Sequence, residues 1–193
     1  MKRIKIKELL SDKSSLKQFC EDMKNGAVAV IPTDTLYGFA VSYNSKEAVE
    51  KVYQIKNRDS RKPLILFVTD VKELDKLGLK ANEESKAIIN SNWPGGLTAV
   101  LQKPSYGELS DFNFPTIGVR APNHEELLEL LSILPVKLLT TSANRSGAPS
   151  DTNPDNIEEE FKGEIDLPCG VPSTVVDFTS KPPKILRQGK IVI

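Results

Sequence analysis

The sequence predicts an α/β fold, a twisted mixed β-sheet flanked by helices. Short apolar runs rich in β-branched residues recur at 27–31, 64–68, 97–102, 116–120 and 136–140. They are too short for helices and read as buried strands. Between them lie stretches with apolar residues at helical spacing. From residue 173 onward strands follow one another, which favours a mixed sheet over an all-parallel one.

Taken in order, residues 11–25 predict a helix with Leu16, Phe19, Cys20 and Met23 on one side and Gly26 as its left-handed stop. Residues 27–31 form a strand closed by Pro32, which cannot donate to a ladder. That strand delivers Thr33, Asp34 and Thr35 to its carboxyl end, where open α/β sheets place their ligands. Ser45 caps a helix with Ala48, Val49, Val52, Tyr53 and Ile55 as its apolar stripe, and its end releases Lys56, Arg58, Arg61 and Lys62. Helices follow at 71–77 and 83–92, then a turn at 93–96. Residues 104–115 lack periodicity and form a loop, read either as a lid or as an excursion packed by Tyr106 and Phe112. Pro122 and Asn123 start a helix that runs to Leu134, with His124 as a surface residue at its terminus. The strand at 136–140 runs into the hydroxyl- and amide-rich segment 141–150. A helix at 154–162 is capped by Asn153, with Pro154 in its first turn, and strands close the chain at 173–178 and 183–186.

The bulk numbers bound the function. The 193 residues, 39% hydrophobic and 27% charged, describe one domain spanning 1–193. Lys+Arg and Asp+Glu both number 26, which excludes a generic nucleic-acid coat protein, so any such contact is local. Cys20 and Cys169 lie far apart and outside any ligand spacing, against a disulfide framework or a zinc site. The basic amino terminus lacks the hydrophobic core of a signal peptide, and no run reaches transmembrane length; the expectation is a cytoplasmic protein without a membrane partner.

Three strand ends deliver small polar groups: Thr33 with Thr35, Thr116 with Arg120, and Thr140 with Ser142 and Asn144. With Lys56, Arg58, Lys62 and Arg187 they furnish cations and donors for phosphates and a carboxylate. A P-loop, a dinucleotide fingerprint and a Ser–His pair are all missing. Cations and hydroxyls without an evident base suit transfer at phosphorus, where positioning and charge neutralisation supply most of the rate. Blander readings stand beside these. Lys56 and Arg58 also read as solvated cations at a helix end. Ser142, Asn144 and Ser146 also read as turn residues, Ser173 and Thr174 as strand residues, and Arg187 as a surface residue.

The residues resemble the threonylcarbamoyl-AMP synthase family, the YrdC-like domain, in its single-domain form. The resemblance rests on the segments 32–38 (PTDTLYG), Lys56-x-Arg58 with 62–65 (KPLI), 116–120 (TIGVR), 141–150 (TSANRSGAPS), 173–177 (STVVD) and 185–189 (ILRQG), six motifs in family order. It implies a sheet curled around a concave, positively lined cavity. It also implies a nucleotidyltransferase converting L-threonine, bicarbonate or CO2, and ATP into L-threonylcarbamoyl-AMP and pyrophosphate. That is the first step towards threonylcarbamoyladenosine in tRNA, with a downstream threonylcarbamoyl transferase taking the product. Carried over by motif, Thr35, Phe67, Arg120, Thr140 and Ser173 hold L-threonine, with Arg120 on its carboxylate. Arg58, Lys62, Thr116, Ser142, Asn144, Ser150 and Arg187 hold ATP. Lys56 and Arg58 are the catalytic pair, Lys56 neutralising charge near the reacting phosphate, and Mg2+ rides on the triphosphate. Asn57 stands where the family often has glycine, and Gly38-Phe39-Ala40 replaces its Gly-Leu-Gly. Two rival readings remain: an RNA-binding module that uses the basic hollow, including a contact with tRNA, and a same-fold enzyme acting on another carbamoyl or nucleotide substrate.

Overall fold

One mixed sheet organises the described chain. The computed structural model describes residues 4–150, 154–161, 174–180 and 182–187, with positions 154, 155, 158, 174, 175 and 187 as backbone alone. Its strands are β1 (Ala29–Ile31), β2 (Gly38–Ser42), β3 (Ile65–Phe67), β4 (Leu97–Gln102), β5 (Thr116–Arg120), β6 (Leu138–Ser142), β7 (Thr174–Asp177) and β8 (Lys184–Arg187). They stand in the order β1-β2-β6-β3-β5-β4-β7-β8. The pairs β3–β5 and β4–β7 are parallel and the others antiparallel. The mixed α/β class expected from the sequence is the one observed. No helix among the described residues is long and apolar enough to cross a membrane.

The helices are α1 (Ile6–Ser11), α2 (Lys13–Lys24), α3 (Lys46–Lys56), α4 (Lys72–Lys76), α5 (Glu83–Asn92), α6 (Glu125–Ile133) and α7 (Pro154–Glu160). Side-chain alternation along the strands sorts the sheet into two faces. On one face Phe39, Val41, Leu66, Leu97, Ala99, Leu101, Ile117, Val119 and Leu139 pack against residues of α3, α4, α5 and α7. On the other, Ile31, Ala40, Phe67 and Leu138 pack against Leu9 of α1, Met23 of α2 and Leu127 and Leu130 of α6. That second layer covers only part of its face. Where it stops, the same alternation presents Gly38, Ile65, Thr98, Val100, Thr116, Gly118, Thr140 and Ser142, which line a cavity.

Several expected elements sit differently. Residues 27–31 read as a strand buried on both faces; β1 is the sheet edge, with Ile31 packed beside α1, α2 and α6 and Val30 in the core of the other face. The sequence reading has no strand at 38–42, because its apolar run is only Phe39 to Val41, set between a buried glycine and a buried serine. It has no helix over Ile6–Ser11 either, a stretch of under two turns. The expected strand 136–140 lies two residues further on and takes in Thr141 and Ser142. The helix expected from Pro122 starts at Glu125, with the His124 imidazole accepting from the Leu127 amide at 3.3 Å as its cap. Loop 104–115 is an excursion on the helix-covered face, not a lid: Leu109 and Phe112 join the core there, and Phe112 stacks on Tyr43 at 6.2 Å. Tyr106 points away, 70% exposed. Asn153 and Cys169 lie outside the described residues.

Phe39 anchors β2 to α7, its ring edge-on to Phe161 at 5.0 Å and fully buried. Phe39→Ala is expected to lower unfolding free energy by about 3–5 kcal/mol, read as a lower urea midpoint at unchanged slope.

Candidate functional site

The β1–β2 turn builds one wall of the cavity. Thr33 Oγ1 donates to the Leu36 carbonyl (2.6 Å) and accepts from the Thr35 and Leu36 amides (3.0 and 3.1 Å). This hydroxyl-closed turn holds Thr35 Oγ1 3.1 Å from that of Thr33. Arg120, at the end of β5, crosses to meet it. Its guanidinium donates to Thr35 Oγ1 (2.7 Å), to Asp34 Oδ1 (2.5 Å) and to the Gly95 carbonyl (3.0 Å). The Arg120 and Asp34 side chains are 5% and 9% exposed, so this is a buried ion pair. Gly95 has no room for a side chain: a Cβ there would lie 2.4 Å from the Asn92 carbonyl oxygen.

The opposite wall comes from the basic turn after α3. Asn57 holds the left-handed conformation (φ 49°) that ends the helix, its amide donating to the carbonyls of Tyr53 and Gln54. Asparagine tolerates this region better than most residues, so it can stand where the family often has glycine. Arg58 then turns inward, its Nε donating to the Lys62 carbonyl and its Nη2 to that of Pro63, both at 3.2 Å. Burial pushes the Arg58 guanidinium down from its ordinary range; it remains a cation. Arg61 faces solvent and pairs with Asp59 at 2.7 Å.

The cavity, about 370 Å³, is lined by Thr35, Arg58, Phe67, Thr116, Arg120, Thr140 and Ser142 of the residues expected from the sequence. Thr33, Tyr37, Thr98, Val100 and Gly118 line it too. Sequence reasoning placed Thr33 at a polar strand end beside Thr35 but did not select the other four; the alternation of β4 and β5 beside Thr116 and Arg120 was the signal available for Thr98, Val100 and Gly118. Other expected residues fall elsewhere. Lys62 is exposed and Ser150 half-buried, both outside the lining. Asn144 is buried, but its side chain is engaged within its own loop: Nδ2 donates to the Ala148 carbonyl at 2.7 Å, and Oδ1 accepts from Ser142 Oγ at 2.6 Å. Ser173 and the Arg187 side chain lie outside the described residues.

Lys56 departs most from expectation. Its ammonium is 1% exposed and donates to the Ser142 and Asn144 carbonyls and to Asn144 Oδ1 (3.2 Å), behind the cavity wall. The expected role at a reacting phosphate therefore meets an amine already committed to protein oxygens. Burial, helped by the Arg58 charge and opposed by Glu160, lowers its pKa to about 7. Among the described residues, the cations on the cavity surface are Arg58 and the compensated Arg120, fewer than the sequence suggested. No group of three or more His, Cys, Asp or Glu able to hold a metal occurs among them.

The family model described as "Telomere recombination", covering Sua5, YciO and YrdC, matches residues 21–189. The threonylcarbamoyl-AMP synthase of Pyrococcus abyssi is 33% identical over 175 residues, 86% of this chain and 52% of that one. The putative threonylcarbamoyl-AMP synthase of Methanocaldococcus jannaschii is 36% identical over 202 residues, 100% of this chain and 95% of its own length. Among solved structures, P. abyssi Sua5 complexed with L-threonine superposes with a TM-score of 0.80 at 31% identity, covering 97% of this chain and 56% of that one. The chain thus spans about half the length of the P. abyssi relative.

Lys56 has a consequence for stability. Its native pKa, about 7, lies below the ordinary 10.5, so between these values the unfolded chain binds the proton that the native chain lacks. Stability contributed through this group therefore rises with pH across that window. Relative to Lys56→Met, the wild type is expected to gain stability from pH 7 to pH 9, measured by urea denaturation of both proteins.

Proposed function

The chain belongs to the Sua5, YciO and YrdC family, and on that premise we propose that it is an L-threonylcarbamoyladenylate synthase. The observation that carries this reading is the convergence of Thr35, Arg58, Thr116, Arg120, Thr140 and Ser142, from motifs far apart in sequence, on one cavity. Those side chains supply hydroxyl donors and two guanidinium groups, that of Arg120 offset by Asp34, suited to an amino acid and a nucleotide held together.

In the reaction, the threonine amine attacks the carbon of CO2 formed from bicarbonate by loss of hydroxide, and the amine releases a proton as the N–C bond forms. A carbamate oxygen then attacks the α-phosphorus, and the bond to pyrophosphate breaks as the new O–P bond forms. The carbamate is labile in water, so a walled cavity protects it. Arg58 faces the triphosphate and stabilises charge on the departing pyrophosphate, with Lys62 reaching in from the rim. Thr116 and Ser142 complete the ATP subsite, with Asn144 shaping its loop; Ser150 and Arg187 are proposed for the same subsite by motif. Thr35, Thr140, Phe67 and Arg120 form the threonine subsite, with Ser173 added by motif. Because Asp34 already offsets the Arg120 charge, the hydroxyls of Thr35 and Thr140 carry a larger share of carboxylate binding. Magnesium, in this reading, is carried on the triphosphate. The product feeds a threonylcarbamoyl transferase acting on tRNA.

The expected outcome is pyrophosphate release from ATP that requires both L-threonine and bicarbonate; release unaltered without threonine overturns the reading. Arg58→Ala is expected to lower kcat/KM for ATP about 100-fold while the far-ultraviolet circular dichroism stays that of the wild type.

A further inference from the structure

The end of α3 and the loop after β6 cap one another. The last carbonyls of a helix lack intrahelical partners, and here the loop supplies them: the Arg145 guanidinium donates to the Ile55 carbonyl, and the Ser146 amide to that of Lys56 at 2.8 Å. In return, the Lys56 ammonium donates to the Ser142 and Asn144 carbonyls and to Asn144 Oδ1. Asn144 closes the loop on itself through the Ala148 carbonyl. Outside, α7 backs the arrangement, with Arg145 lying 4.8 Å over the Phe161 ring and 3.6 Å from the Glu160 carboxylate. Ser142, at one end of this device, and Arg58, two residues beyond the other, both line the cavity. Lys56 and Arg145 do not.

We propose that Lys56 and Arg145 form a reciprocal brace that sets the separation between the basic turn and the 142–148 loop, making both positioning residues for the nucleotide subsite. Nothing in the sequence marked Arg145, which is exposed and ordinary by composition. The brace accounts for a buried ammonium that donates to protein oxygens, and for a surface arginine spent on a helix carbonyl. Its consequence for binding rests on the nucleotide reading above; its existence does not. Lowering the Lys56 pKa towards neutrality leaves the brace responsive to pH near 7, with Arg58, Arg145 and Glu160 the charged groups facing it and Phe39 beneath it at 5.6 Å.

The test uses Lys56→Met and Arg145→Ala in the full chain, with amide hydrogen exchange and with binding of AMP and ATP by calorimetry. Both variants are expected to speed exchange across residues 142–148 about tenfold and to weaken AMP and ATP by a common factor of about ten. The double variant is expected to lose no more than the larger single loss, as members of one unit do. Unchanged exchange in both variants overturns the brace. Loss of ATP affinity with AMP affinity intact in Lys56→Met also overturns it, because that pattern puts the ammonium on the outer phosphates. Should Lys56→Met fail to fold, Arg145→Ala at the surface and the charge-conserving Lys56→Arg decide by the same readouts. A wild type that binds neither nucleotide defeats the nucleotide reading, and the exchange arm then decides the brace alone.

Discussion

Arg120 ties together three parts of the chain that the sheet alone would leave independent. Its guanidinium joins the end of β5 to the β1–β2 turn and to the turn at Gly95. Two charges removed from water are stable only when their remaining donors and acceptors are met, and here one fork reaches a carboxylate, a hydroxyl and a carbonyl. Leaving either charge unpaired would cost about 3–5 kcal/mol. The position of Thr35 in the cavity follows from this tie.

The electrostatics of the cavity are more economical than a count of its motifs suggests. Of four cations in the basic segment, one is buried behind the wall, one is turned inward, one is paired outside with Asp59 and one is exposed outside the lining. Among the described residues, Arg58 is the cavity-lining guanidinium without an ion pair, and in a half-buried position its charge is screened by water less than that of a solvated ammonium. Polar hydroxyls from alternate positions on neighbouring strands complete the lining without adding charge.

Much of this was legible in the sequence because burial leaves a periodic trace. The α/β class, most of the helices and the strands at 97–102 and 116–120 follow from apolar spacing and from Gly and Pro punctuation. The convergence of Thr35, Arg120 and Ser142 followed from motif resemblance, since spacing cannot say which strand ends meet. What escaped has physical reasons. The apolar run of β2 is three residues long, with Gly38 and Ser42 at its ends, and α1 is too short for a helical period to declare itself. The commitment of Lys56 to carbonyls and of Arg120 to Asp34 depends on contacts across 86 or more residues, which no local pattern records. A lysine beside an arginine in a basic run looks solvated until its surroundings are known.

The strand order carries a consequence for how the chain acquires its structure. β2 finds β1 at once, but its other edge waits for β6, and β3 waits for β5 and β6, so the first half of the polypeptide carries open strand edges until residues 116–142 have left the ribosome. Pairings this distant are slow to close, and nascent chains waiting with open strand edges are prone to associate with one another. During synthesis, the early helices and the β1–β2 pair are the parts able to form on local contacts, and the rest of the sheet condenses late, around the segment that also completes the cavity.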